Sequence, residues 1–468
     1  MDRAAASGCG PAPLALAGAT PEAYTRPVNS GDRDPARDLP SDVLDGHVSA
    51  LADGPHGVVR HAGKVHFVRQ VAPGDEIAFR PREDHGSYCF SDLVSLRESG
   101  PARRAPPCPW LPACGGCAWQ HVTPEAQAQA KEANLRAALA RIGGLTDPPL
   151  EPLRRPSAEF GYRRRLSLRV QQGRVGFHAA GSHTLVAIDE CLLAAGELRG
   201  GITLAGRWVA ELRSRLNRVE VASTGHGDRI VLVGQCDGPL ASGDTERSET
   251  FLRHNPRLTA LVLHGRGFRQ VIGDDRVFVP VQRDLVIETR AGEFTQVNDA
   301  GNLELIRTVL ALAAPSSDQR VADLYGGAGN FALPLARQSR SVHVVERARA
   351  AVASGRANAQ RLGFANLTFE EGDVGRVLRS WATAGSDARQ HLDLVVLDPP
   401  RSGAAEAIEP LLALAPPRIL YVSCNPATLA RDLRRLCTAY ELRRVVPLDL
   451  FPQTPHLETA SLLVRRPR

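Results

Sequence analysis

Apolar and polar positions alternate in short runs from Asp45 to Arg97, broken by glycine: Gly57-Val58-Val59-Arg60, then Lys64-Val65-His66-Phe67-Val68, then Pro73-Gly74-Asp75-Glu76-Ile77-Ala78-Phe79. A period of two with glycine breaks predicts a small β-barrel of OB type. Pro124 to Arg141 carries a helical apolar stripe in an Ala- and Gln-rich background, which predicts one helix. From about 150 to 290 strands and turns mix, around Phe177, Leu185–Ile188 and Ile230–Val233, as expected of an α+β unit. After about 293 the rhythm becomes strand, glycine turn, helix, with strands at 320–325, 341–345, 394–397 and 418–422 and a helix over Ala350–Leu362. That alternation predicts a doubly wound, Rossmann-like α/β sheet. Residues 1–40 show no hydrophobic period and are expected to be a disordered tail. The expected divisions are therefore a tail at 1–40, a barrel at 41–100, a central α+β domain at 101–290 and the doubly wound domain at 291–468. The helix 124–141 is free to pack on the last of these.

Composition narrows the class. With 43% hydrophobic residues in 468 the chain can build ordinary cores. No apolar run approaches the roughly 20 residues of a membrane span. Pro11–Ala19 is too short and proline-broken for a signal peptide. A cytoplasmic monomer without membrane contact is the expectation. A net charge of +6 and a pI near 9.0 favour a polyanionic partner such as RNA. The run Tyr162-Arg163-Arg164-Arg165-Leu166-Ser167-Leu168-Arg169 suits a strand with one buried face and guanidinium groups on the other, offered to phosphate or simply to water.

Candidate chemistry gathers at the predicted strand ends. Cys424 follows the apolar strand Ile419–Val422, and Asp398 ends the strand before it, 26 residues earlier. That spacing is one parallel crossover, so the two side chains should emerge side by side at the carboxyl edge, where ligands bind. A lone cysteine there is ordinarily a small buried hydrophobe. Its neighbours decide otherwise. Asp323-Leu324-Tyr325-Gly326-Gly327-Ala328-Gly329-Asn330 runs from a strand into a helix, and glycine lets backbone approach a ligand. Glu346, ending the next strand, is placed to accept ribose hydroxyls, and Asp373 to take an adenine amino group. Without a Walker lysine or a further dinucleotide-spaced glycine, S-adenosylmethionine fits better than a nucleoside triphosphate or NAD. Cys108, Cys114 and Cys117 form a Cys-x5-Cys-x2-Cys set whose density indicates metal ligation, iron–sulfur or zinc, with a fourth ligand from elsewhere. Cys9, Cys89, Cys236 and Cys437 match no motif.

Over roughly 45–468 the chain resembles the uracil-5-methyltransferases of ribosomal and transfer RNA. The motifs are Phe294-Thr295-Gln296-Val297-Asn298, Asp323-Leu324-Tyr325 with its glycine loop, Asp398-Pro399-Pro400-Arg401, Ser423-Cys424-Asn425-Pro426 and Phe451-Pro452-Gln453-Thr454-Pro455-His456-Leu457-Glu458. The resemblance implies that Gln296, Tyr325, Asn330, Glu346, Asp373 and Asp398 line an S-adenosylmethionine pocket, that Cys424 is the nucleophile and that Glu458 is the base. It makes the barrel TRAM-like and adds Cys191 to Cys108, Cys114 and Cys117 as ligands of a [4Fe-4S] cluster, with zinc the second choice. It implies large-subunit ribosomal RNA as substrate, with transfer RNA the nearest alternative. An amino-methylating enzyme would carry an aromatic residue where Arg401 stands, and a non-catalytic iron–sulfur RNA-binding protein would not need Cys424 and Glu458. Gly326 departs from the cysteine of many members, without expected effect on the chemistry. The implied residue types suit the reaction: uracil C5 attacks an electrophile only after a thiolate has added to C6, and a base must then remove the C5 proton.

Overall fold

Alternating buried valines close the first five strands into a barrel. A computed structural model describes residues 42–383 and 391–467; the expected tail at 1–40, with Cys9, lies outside them. β1 (Leu44–Leu51), β2 (His56–His61), β3 (Lys64–Arg69), β4 (Glu76–Asp84) and β5 (Tyr88–Glu98) follow the order β1-β2-β3-β5-β4, and β4 returns to β1 through Leu44↔Phe79. Val48, Val59, Val68, Val71, Ile77 and Phe79 fill the interior. Closure leaves no free sheet edge. Asp75 anchors the exit: buried, it accepts from the Gly100 N–H (3.0 Å) and pairs with Arg103 (2.6 Å).

The helix Pro124–Arg141 starts where Thr123 caps it and Pro124 occupies its first turn, and it stops before Gly143-Gly144. Its Leu135 and Leu139 do not join the sheet that follows in the chain. They pack into the core of the last sheet, with Leu429, Leu433 and Leu436.

The central sheet holds β6 (Arg165–Gln171), β7 (Arg174–His178), β8 (Leu185–Ala187), β9 (Leu216–Ser223), β10 (Ile230–Cys236), β11 (Leu258–Gly265) and β12 (Phe268–Gly273) in the order β12-β11-β10-β9-β6-β7-β8. It is antiparallel except at β10–β11, where the helix Asp244–His254 makes the crossover. A hairpin, β13 (Arg276–Gln282) and β14 (Leu285–Arg290), then leads to the helix Asp299–Ala313. Val231, Val233, Val279, Ile287, Leu305, Val309, Val344 and Val396 belong to one continuous core, so the central sheet and the last sheet share their packing through the hairpin.

The last sheet holds β15 (Arg320–Leu324), β16 (Ser341–Glu346), β17 (Leu367–Glu371), β18 (Leu394–Leu397), β19 (Arg418–Ser423), β20 (Tyr440–Leu448) and β21 (Glu458–Arg465), ordered β17-β16-β15-β18-β19-β21-β20. Five strands are parallel and separated by helices, as the strand–turn–helix rhythm predicts; β15, β18 and β19 are buried on both faces, while the edge strand β17 keeps Thr368 and Glu371 exposed. The antiparallel pair β20 and β21 was not legible as such. β20 is not among the strands that the rhythm predicts, and Glu458 is the first residue of β21. Among the described residues no helix is long and apolar enough to cross a membrane.

Candidate active site

Two strand ends place Cys424 and Asp398 together. β18 and β19 pair in parallel through Leu397↔Tyr421, and each then turns at the same edge. The sequence after Cys424 explains its pose. Asn425 caps the helix Pro426–Leu436, its side chain accepting from the N–H groups of Ala427 (2.9 Å) and Thr428 (3.3 Å), and Pro426 fills the first helical position. Ser423 Oγ accepts the Asn425 N–H at 3.2 Å. The four-residue motif is thus one thiol on a tightly capped strand-to-helix turn. β21 runs antiparallel to β19 with Ser423↔Thr459 in register, so Glu458 is the next residue opposite Cys424.

The electrostatics of this edge are those of crowded anions. Burial pushes the Cys424 thiol up to about 11, helped by the negative charges of Glu458 and Asp398 and opposed by Arg401. Burial likewise raises Asp398 to about 7, and it holds Glu458 well above the carboxylate range, with Asp398 adding to the shift and Arg401 opposing it. Arg401 faces His456, its Nη2 3.2 Å from the ring Nε2. Burial and the guanidinium charges of Arg401 and Arg163 press His456 down to about 4, so its ring is neutral.

The glycine loop lies one strand away. Tyr325 takes a left-handed φ of 59°, unusual for a side-chain-bearing residue, and its hydroxyl donates to Glu406 at 2.6 Å. Glu346 is held by the loop itself: its two oxygens accept the N–H groups of Gly327 (3.1 Å) and Ala348 (2.6 Å). Asp373 stands exposed at the start of the helix Val374–Thr383, accepting the Arg376 N–H at 3.0 Å. Asn330 exchanges two 2.9 Å hydrogen bonds with Asn302. Gln296 sits half-buried on the segment 294–298, which Asn298 pins by donating to the Leu450 carbonyl at 2.7 Å and capping the helix Asp299–Ala313.

Three participants escaped the sequence reading of the site. Asp323 is fully buried on β15, and neither carboxylate oxygen has a partner at ordinary hydrogen-bond geometry, the Ala332 N–H being the donor that faces it. Burial raises it far above the usual range, with Asp398 and Glu346 adding to the shift. An acidic residue among Val321, Ala322 and Leu324 was the available signal, because a buried unpaired carboxylate is rare without a task. Arg401 and His456 lay inside quoted motifs but were given no role. Gly326 also does more than expose backbone: a Cβ there would stand 2.8 Å from Asp323 Oδ2 and 2.7 Å from Val344 Cγ1, so a side chain at 326 must displace the buried carboxylate's surroundings. What the edge lacks is positive charge inside the loop, and a cationic ligand bearing a ribose fits that deficit.

The cysteines converge from two places. Cys114 feels the charges of Cys108 and Cys191, and Cys117 those of Cys191, Cys114 and Cys108; burial pushes Cys117 up to about 12 and raises Cys114 and Cys191. Gly115 and Gly116 let this segment press on β7, where the Gly115 N–H donates to the His178 carbonyl at 2.9 Å. Among the described residues no three Cys, His, Asp or Glu side chains stand arranged to hold a metal ion.

The arginine run turns out mostly structural. Arg164 is buried and bonds Asp299 (2.9 Å) and the Phe278 carbonyl (2.8 Å), and Arg165 bonds the carbonyl of Glu293 (3.1 Å). Of the run's arginines, Arg169 alone is exposed.

The chain is similar to several known proteins. The family described as tRNA (Uracil-5-)-methyltransferase matches residues 261–466. The 23S rRNA (uracil(1939)-C(5))-methyltransferase RlmD of Pseudomonas putida is 35% identical over 429 residues, covering 89% of this chain and 92% of that protein. Its namesake in Alkalilimnicola ehrlichii is 34% identical over 456 residues, covering 92% and 98%. Among solved structures, the tRNA (uracil-54, C5)-methyltransferase of Pyrococcus abyssi in complex with S-adenosyl-L-homocysteine superimposes with a TM-score of 0.71 at 23% identity, covering 90% of this chain and 99% of that one.

Proposed function

The chain belongs to the RNA uracil-5-methyltransferase family, and from that premise we propose that it methylates C5 of a uridine in 23S ribosomal RNA, in the cytoplasm, through a covalent bond between Cys424 and C6. The observation that carries the reading is the antiparallel register that sets Glu458 beside Cys424, with Asp398 on the adjoining strand end. S-adenosylmethionine, when bound, supplies a methyl group on a positively charged sulfur. Glu346 and Asp373 would hold its ribose and adenine, Gln296, Tyr325 and Asn330 would shape the pocket, and Asp398 with the unpartnered Asp323 would face its positive charge. The Cys424 thiolate adds to C6, which turns C5 into an enolate carbon able to take the methyl group. Glu458 then removes the C5 proton, the sulfur–C6 bond breaks, and the C5–C6 double bond re-forms. Once deprotonated, a carboxylate whose affinity for protons is raised by burial is a stronger base for that step than one in water.

RNA contact is supported by the barrel. His56, Phe67, Phe90, Tyr88 and His85 form a chain of rings with centroids 4.8–6.2 Å apart, and Arg69 donates to His56 at 3.2 Å. Aromatic faces beside guanidinium groups suit unpaired bases and their phosphates. Phe294, 77% exposed under Arg165, is a second such face next to the pocket. Cys108, Cys114, Cys117 and Cys191 would hold a [4Fe-4S] cluster. Burial raises Cys114, Cys117 and Cys191, with neighbouring thiols adding to the shift, and such thiols ionise readily when a metal takes their protons' place.

The test is denaturing electrophoresis of variants incubated with a labelled 23S ribosomal RNA fragment or transfer RNA and S-adenosylmethionine. Cys424→Ala should methylate nothing and form no adduct, whereas Glu458→Gln should accumulate protein bound to ribosomal RNA. Activity in Cys424→Ala would end the covalent reading, and methylation confined to transfer RNA would reassign the substrate.

A further inference from the structure

The loop that delivers Glu458 is held from outside its own sheet. Between β20 and β21, residues 449–457 meet an almost fully satisfied set of polar groups from the segment after the third cysteine and from the helix Pro124–Arg141. Lys131, whose side chain has no exposure, donates to Asp449 Oδ1 at 2.6 Å and to the Phe451 carbonyl at 3.2 Å. Gln127 Nε2 donates to Gln453 Oε1 (3.0 Å) and to the carbonyls of Trp119 (2.9 Å) and Val122 (3.0 Å), while its Oε1 accepts the Gln453 N–H (3.0 Å).

Gln453 is the hub of this arrangement. Besides Gln127, it meets Arg104 Nη2 at Oε1 (3.0 Å), Glu159 at Nε2 (3.1 Å) and the Trp119 N–H at its carbonyl (3.1 Å). Its backbone sits at a φ of 70°, a left-handed conformation disfavoured for a residue with a Cβ by about 1–2 kcal/mol. Such a conformation persists where the surroundings over-determine it. Tyr162 adds a 2.9 Å bond to the Pro452 carbonyl. Burying a lysine and two glutamines, one of them strained, is an expensive way to close a turn, and an apolar cluster would stabilise the same helix–sheet contact as well. The polar version specifies one register instead: it fixes where the chain enters β21, and Glu458 is the first residue of that strand.

We propose that Gln127 and Lys131 are positioning residues for the proton-abstraction step: through Gln453 and Asp449 they set the loop 449–457 so that Glu458 meets the substrate's C5 proton. The inference rests on the reading of Glu458 as base. It also gives the cysteine segment a mechanical role, because Trp119, two residues beyond Cys117, is one of the groups that grips Gln453.

The experiment is a single-turnover time course with the ribosomal RNA fragment, following adduct formation, methyl transfer and adduct release separately, for Gln127→Met, Lys131→Met and Glu458→Gln. Binding of S-adenosylhomocysteine by calorimetry and a thermal melt identify folded preparations; Gln127→Met removes polar contacts at nearly constant volume and so serves if Lys131→Met does not fold. The expected result is adduct formation and methyl transfer close to wild type, with release slowed on the order of 100-fold, as a displacement of about 1 Å does to a catalytic group. Release at the wild-type rate in folded Gln127→Met overturns the proposal. Equal slowing of formation and release overturns it too, since that is what general loosening of the domain produces. If Glu458→Gln itself leaves no adduct, the base assignment fails, and the latch loses its purpose with it; an adduct in Glu458→Gln but none in the helix variants refutes the latch alone.

Discussion

Cys424 should be a poorly reactive thiol in the free enzyme. With its proton affinity raised from an ordinary 9.0 to about 11, the thiolate fraction at pH 8 falls from roughly one in ten to roughly one in a thousand. Alkylation by iodoacetamide at pH 8 should accordingly run about 100-fold slower than that of an unperturbed cysteine peptide, and should still be rising at pH 10. Burial is the main cause, with Glu458 and Asp398 adding to it and Arg401 opposing. Asp398 is ionised at pH 8, so Asp398→Asn should quicken the reaction and Arg401→Met slow it further, and the two variants move in opposite directions. The rates are read from the Cys424 peptide by mass spectrometry after timed quenching between pH 7 and 10.5. A Cys424 that alkylates at pH 8 like the free peptide, or an Asp398→Asn variant slower than wild type, refutes the electrostatic account. On the proposed mechanism, the thiol of Cys424 stays protonated until ligands bring positive charge to this edge.

Two further outcomes follow from the same charges and from the cysteines. Asp398, at 3.8 when unfolded and about 7 when folded, binds more protons in the native state across that window, so its contribution to stability is lost as pH rises through it. Asp398→Asn should flatten the dependence of melting temperature on pH between 5 and 8 and stabilise the ligand-free protein at pH 8 by about 1–3 kcal/mol; a variant that melts lower at pH 8 contradicts this. Protein purified without oxygen should be brown and contain iron, and Cys114→Ser should lose both colour and stability, whereas stoichiometric zinc without iron, by elemental analysis, would assign the site to zinc.

Local pattern sufficed wherever one element settles the matter. The period-two valines of the barrel, the capped helix at 124–141 and the buried parallel strands each bury a face that their own residues define, and the cysteine on its turn needed only Asn425 and Pro426 to hold it. The crossover spacing even paired Asp398 with Cys424, because a parallel neighbour has one short route home. What the chain alone left undecided are the relations between distant segments. Nothing near Glu458 announces that β21 runs antiparallel beside β19, since strand direction depends on which neighbour is free once the parallel strands are laid down. Arg164 reads as an RNA contact and is instead buried against Asp299, because its side of the strand is covered by a segment more than 130 residues away. Lys131 and Gln127 are polar residues of an Ala- and Gln-rich helix. They are buried only because that helix, leaving its sequence neighbours, docks on the far sheet and meets Asp449 and Gln453 there. Burial is a property of the assembled whole, and a polar side chain's role depends on whether water is still there to compete for it.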